Sequence, residues 1–206
     1  MDVSIRDDYL PDMPLDPNSL RDALETLGAI LEDRGTACHI VVIGGGALLL
    51  VGLVHRSTKD LDVVALAHDG ALVRASPFPP ELAEAVRDVA LALDLPEDWL
   101  NAGPADLLTF GLPQGFTDRT TVESFGALTV HVASRVDQVA FKLYAAADHW
   151  PHHGKHLQDL QALAPTPDEL VSAARWCRTH DASEAFRDVQ LTPVLGLFGV
   201  SEVPRG

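Results

Sequence analysis

Leu20, Leu24, Leu27 and Leu31 recur at helical spacing behind Asp16-Pro17, an N-cap followed by proline at the first helical position, and the run stops at Gly35. This pattern predicts an amphipathic helix. A short β-branched run over 39–43 then leads into Gly44-Gly45-Gly46 and a leucine-rich stretch over 47–54, which reads as strand, glycine turn and buried helix. Over 60–66 the period drops to two, with Leu61, Val63 and Ala65 on one side and Asp60, Asp62 and Val64 on the other, so a second strand carries both aspartates on one face. Pro77, Pro79 and Pro80 break the chain before a helix marked by Leu82, Val86, Val89 and Leu93. Pro96-Glu97-Asp98-Trp99 predicts the start of another, short helix, and 103–118 reads as a loop-rich crossing. Segments 120–124 and 128–133, parted by Gly126, predict a hairpin or two neighbouring strands. The remainder reads as helical, at about 135–148, 154–164, 167–180 and 183–190, with Thr166-Pro167-Asp168-Glu169 a capping-box start. The expected class is α/β, divided into a core over 1–134 and a helical C-terminal part over 135–206.

At 206 residues, 47% hydrophobic and 22% charged, the chain suits one globular domain, or an α/β core with a small helical appendage. The apolar run 40–54 is 15 residues long, contains four glycines and falls short of a membrane span. Residues 1–8 are acidic and lack the basic start of a secretory leader, which predicts a cytoplasmic address and no membrane partner. Cys38 and Cys177 have no metal-ligand spacing and read as buried thiols. A net charge of −15 opposes nonspecific binding to a polyanion, so any RNA contact must be local. Lys59, Lys142 and Lys155 are the only lysines, against twelve arginines, and all three fall in or beside the chemical motifs.

Those motifs begin with Gly45-Gly46, thirteen intervening residues, and Asp60-Leu61-Asp62-Val63, led in by Arg56-Ser57-Thr58-Lys59. A glycine pair lets backbone N–H groups approach phosphates without a Cβ in the way, and a helix beginning there adds its positive end. Two strand carboxylates at i and i+2 project together and suit a hard cation such as magnesium with the triphosphate it accompanies. Lys142 lies at the margin of an apolar stripe formed by Val136, Val139 and Leu143, where it could reach the phosphates. Asp159 stands off the Leu157, Leu160 and Leu163 stripe, placed to accept a proton, to orient Lys142 or a nucleophile, or simply to pair with Lys155 on the surface. Arg56 is either a bidentate phosphate clamp or a surface residue. His149, His152, His153 and His156 sit in a loop broken by Pro151 and Gly154, readable as an exposed loop, a zinc site, or a substrate contact.

Together with Phe141-Lys142-Leu143-Tyr144-Ala145-Ala146 and Lys155-His156-Leu157-Gln158-Asp159-Leu160, the pattern resembles the AbiEii/MenT toxins within the DNA polymerase β-like nucleotidyltransferase superfamily, over about 39–66 and 136–163. The resemblance implies a nucleotidyltransferase fold, a mixed β-sheet flanked by helices whose helical C-terminal part completes the active site. It implies Mg2+ at Asp60 and Asp62, an NTP co-substrate held by Gly45, Gly46, Arg56, Thr58 and Lys142, and a catalytic role for Asp159. It also implies a tRNA 3′ end as acceptor, a cognate antitoxin, and Thr58 as a site for regulatory phosphorylation. The chain departs from the pattern where 128–133 offers His131 instead of a third carboxylate, and where Asp148-His149 replaces an arginine. Transfer to a small molecule or a protein side chain, and a noncatalytic nucleotide-binding module, are the alternative readings.

Overall fold

The computed structural model describes residues 14–201, so the acidic segment 1–8 lies outside them. Helix α1 (Pro17–Asp33) begins where Asp16 accepts the amides of Asn18 and Ser19 while the Ser19 hydroxyl accepts the Asp16 amide. Its leucine face is fully buried. Strand β1 (Cys38–Ile43) runs directly into α2 (Gly44–Leu50), so the glycines form the first turn of the helix, where a turn preceding the helix was expected. Strand β2 (Leu61–His68) pairs antiparallel with β1 and turns back into β3 (Ala71–Arg74). The turn places Asp69 and Gly70 at φ of 49° and 76°, the left-handed conformations that an Asp-Gly hairpin turn requires.

Helix α3 (Pro80–Leu93) follows, packed against α1. The helix expected at Pro96 does not form. Instead Trp99, fully buried, donates its indole N–H to the Val86 carbonyl and accepts the Leu61 amide, which aligns β4 (Leu100–Asn101) parallel to the start of β2. Burying that indole with both partners satisfied outweighs the local helix-start signal. The crossing contains a 3₁₀ segment (Gly103–Phe110) lying on β2 and β3 and a short helix α4 (Phe116–Arg119). Strands β5 (Thr121–Phe125) and β6 (Leu128–Val132) form the expected hairpin, and β6 docks parallel to β1.

The mixed sheet has the order β3-β2-β1-β6-β5, with β4 on the far side of β2's first residues. The parallel pair β1 and β6 ends where β2 begins, so Gly44, Asp62 and the start of α5 (Arg135–Asp148) meet at one sheet edge. Helices α6 (Lys155–Ala162) and α7 (Pro167–His180) pack on α5, and Thr166 and Glu169 make the predicted capping box. Beyond α7 the helical segment expected near 183–190 is a π-type turn (Phe186–Leu191) continuing into α8 (Thr192–Gly196). Val136, assigned above to the apolar stripe of α5, is exposed, whereas Val139, Ala140, Phe141 and Leu143 are buried. No helix among the described residues is long and apolar enough to cross a membrane.

Candidate active site

Strand β2 starts between the end of β1 and the two residues of β4, with Asp62 in register with Ile43 on one side and Asn101 on the other. Asp62 therefore opens towards the sheet edge, beside Gly44. A Cβ on Gly44 would lie 2.5 Å from Asp62 Oδ2, and Gly44 itself has φ of +81°, so glycine is required there twice over. A Cβ on Gly46 would sit 2.6 Å from the Asp60 carbonyl oxygen. The glycines thus let the helix start press against the Asp60-Leu61-Asp62 backbone and the Asp62 carboxylate. Gly45 faces Arg56 and Thr58, at 3.2 and 3.3 Å from its notional Cβ.

Burial first, and then the neighbouring Asp60 charge, push the Asp62 carboxyl up to about 6 against the pull of Lys142, Lys155 and a hydrogen bond from the Asn101 amide. The two aspartates are therefore close enough to repel, as the i, i+2 spacing predicts, and Asp62 feels the charges of Lys142 and Lys155. Asn101 Oδ1 accepts the Gly103 amide, which fixes the Asn101 side chain against Asp62. Because β1 separates β6 from β2, the residue beside Asp62 is Asn101 of β4, and His131 stands elsewhere, stacked on His39 with its Nε2 buried and unpartnered.

Lys142 lies deeper than the stripe margin implied. It is 3% exposed, and its Nζ bonds Asp159 Oδ2 at 2.7 Å. Asp159 is itself 2% exposed and also accepts Arg56 Nε at 2.8 Å and an Arg56 terminal nitrogen at 2.6 Å. The surface pairing with Lys155 is excluded by that burial. Burial pushes Asp159 up, but the Arg56 and Lys142 hydrogen bonds outweigh it and hold the carboxyl below the usual range. A carboxylate so tied is a poor proton acceptor and a strong positioning group. Burial pulls the Lys142 ammonium down, and Asp159 restores part of its basicity. Arg56 spends its bidentate face on a carboxylate of the protein, bracing the loop that leads to Asp60.

Thr58 is 6% exposed; its hydroxyl donates to the Asp60 carbonyl at 3.2 Å, and its backbone pairs in both directions with Leu15. A kinase would reach this hydroxyl only after the loop had opened. Gln138, one helical turn before Lys142 on the same face of α5, accepts the Gly44 amide at 3.1 Å and is fully buried. It was missed by sequence reasoning, as was Asn101; the i, i+4 relation to Lys142 was a signal for the first, and the misread β4 hid the second. In the histidine loop, His149 and His156 rings lie 5.0 Å apart and Trp150 and His153 rings 5.3 Å apart. Among the described residues no group of three or more His, Cys, Asp or Glu side chains is arranged to hold a metal, so the zinc reading gains no support.

The model of a family described as nucleotidyltransferase of unknown function (DUF6036) matches residues 18–149, more than half of the chain. The chain belongs to that family. Its mixed sheet flanked by helices is accordingly an α/β nucleotidyltransferase fold, and the family match spans the glycines, Asp60, Asp62, Asn101, Gln138 and Lys142, ending ten residues before Asp159. No match was found among curated proteins or among solved structures.

Proposed function

We propose that the protein is a magnesium-dependent enzyme that transfers NMP from an NTP to the 3′ hydroxyl of an RNA acceptor, tRNA, as the toxin of a toxin–antitoxin pair. The observation that carries the transfer reading is the Asp62 carboxylate pressed against Gly44, within the field of Lys142 and close enough to Asp60 for the two charges to repel. The donor set fits magnesium: two hard carboxylate groups held close enough to repel, a repulsion that a divalent cation relieves, with the remaining positions left for water and phosphate oxygens. When bound, the ion neutralises charge on the reacting phosphate and the departing pyrophosphate.

The chain's own residues do the positioning. Asn101 and Gly44 hold the Asp62 carboxylate, Gln138 fixes the Gly44 amide, and Thr58 and Arg56 brace the loop carrying Asp60. Lys142 retains donors beyond its bond to Asp159 and is the phosphate contact, while Asp159 orients it. The acceptor oxygen forms the new bond to the α-phosphorus as the α–β bridging bond breaks, pyrophosphate takes the bonding pair, and the hydroxyl proton passes to water.

Purified protein incubated with each labelled NTP, magnesium and total tRNA, protein extract or buffer tests the reading. Label in tRNA that disappears in Asp60→Ala is the expected result. The net charge of −15 favours a second reading, transfer to a small cationic acceptor, and label in small molecules or protein in place of tRNA would establish it. Nucleotide that binds and is never converted would instead mark a noncatalytic module.

A further inference from the structure

Two walls lead away from the acidic pair. One is the 3₁₀ segment that follows Asn101; the other is α5 beyond Lys142. Between them opens a cavity of about 460 Å3. Tyr144, Asp148 and His149 line its α5 side, Asp106 and Phe110 the 3₁₀ side, and His156 of α6 joins them. It adjoins the candidate active site: Gly103, which lines it, donates to the Asn101 side chain that holds Asp62, and His156 lies within the field of Lys142 and Asp159. Along α5, Ala145 and Asp148 stand roughly 4.5 and 9 Å beyond Lys142 at 1.5 Å per residue.

The chemistry of the lining selects its occupant. No lysine or arginine lines the cavity, and two carboxylates do, so a phosphate or an RNA backbone would be repelled. The walls instead present phenyl, phenol and imidazole rings, the surfaces on which uncharged flat heterocycles stack. His156, one of the lining residues, keeps its Nδ1 buried without a hydrogen-bond partner. A larger cavity, about 610 Å3, lies on the other side of Phe110 against α7; Arg119, Arg175, Asp137 and Glu169 line it, and it reaches neither Gly103 beside Asn101 nor His156.

We propose that the 460 Å3 cavity receives the nucleobase of the triphosphate, stacked on its aromatic and imidazole rings, with His156 Nδ1 as the hydrogen-bonding group that helps set base preference. The proposal rests on the nucleotidyltransferase reading and deepens it, and burial together with Lys142 and Lys155 keeps the His156 imidazole neutral, so it meets the base as a polar edge and not as a cation.

The test is direct binding, with no acceptor present, of the α,β-methylene analogues of ATP, CTP, GTP and UTP with magnesium, alongside inorganic tripolyphosphate, a probe with no base. His156→Ala should weaken the best-bound analogue by about 10-fold, compress the differences among the four, and leave tripolyphosphate affinity unchanged. Ala145→Phe, which puts a ring into the cavity from α5, should do the same if His156→Ala does not fold. Wild-type protein that binds neither nucleotides nor tripolyphosphate would overturn the nucleotidyltransferase reading along with this one. Nucleotide binding that survives both variants unchanged would overturn the base pocket alone, as would a parallel loss of tripolyphosphate, or an unchanged nucleotide Kd accompanied by a raised KM for the acceptor.

Discussion

Asp62→Asn should stabilise the metal-free protein at neutral pH, although it removes a group the reaction needs. In the folded state the Asp62 carboxyl titrates at about 6, against 3.8 for an unperturbed aspartate, chiefly because it is buried and because Asp60 stands beside it. The folded pKa is raised, so between about pH 4 and 6 the native state binds more protons than the unfolded chain. Stability therefore falls as pH rises through that window. About two units at 1.36 kcal/mol each come to roughly 3 kcal/mol of lost stability above pH 7. Asparagine has no charge to bury, so the variant should exceed wild type by about that amount at pH 7.5, and by only about 1 kcal/mol at pH 4.5, where most wild-type Asp62 is already protonated. Urea denaturation of both proteins in EDTA at the two pH values measures the difference directly. Magnesium at 100 times its Kd should then raise wild type by about 2.7 kcal/mol and leave the variant unmoved. A variant no more stable than wild type at pH 7.5, or an advantage that does not shrink on acidification, would refute the claim that Asp62 is a buried, repelled carboxylate.

Gly44→Ala forces alanine into φ of +81° and a Cβ to 2.5 Å from Asp62 Oδ2; it should cost roughly 1–3 kcal/mol and, by displacing the carboxylate, abolish the magnesium-dependent rise in Tm. Asp159→Ala leaves the Lys142 ammonium buried without its partner and should cost about 3–5 kcal/mol in urea denaturation, whereas Lys142→Met with Asp159→Leu should recover most of that stability without activity. Equal stability of the single and double variants would count against a buried pair. Thr58→Glu inserts an unpaired charge at a 6% exposed site beside Asp60 and should eliminate nucleotidyl transfer, so full activity in that variant would sink the proposed bracing of the Asp60 loop.

Where local chemistry decided the outcome, it could be read from the chain. Asp16-Pro17 and Thr166-Pro167 mark helix starts because their side chains satisfy nearby amides, and the i, i+2 aspartates share an environment because a strand alternates. The β2–β3 hairpin was legible but overlooked, since Asp69-Gly70 is a turn sequence. Residues 96–101 were misread because Trp99 finds its partners in Val86 and Leu61, distant in sequence, and tertiary burial overrode a local helix signal. The burial of Lys142 was likewise hidden: only the arrival of Asp159 from another helix makes an interior ammonium tolerable. Asn101 acts on Asp62 through a contact that no spacing announces, whereas the contact of Gln138 with Gly44 was foreshadowed only by its i, i+4 relation to Lys142.

Asp159 ties together three stretches of chain, the approach to Asp60 through Arg56, α5 through Lys142, and α6 on which it stands. A protein cut back to residue 149, where the family's shared stretch ends, would keep both basic side chains and lose the anion that holds them in place. The smallest fragment able to assemble this centre must extend through α6, and grafting the shared stretch alone into another scaffold would transplant an incomplete machine.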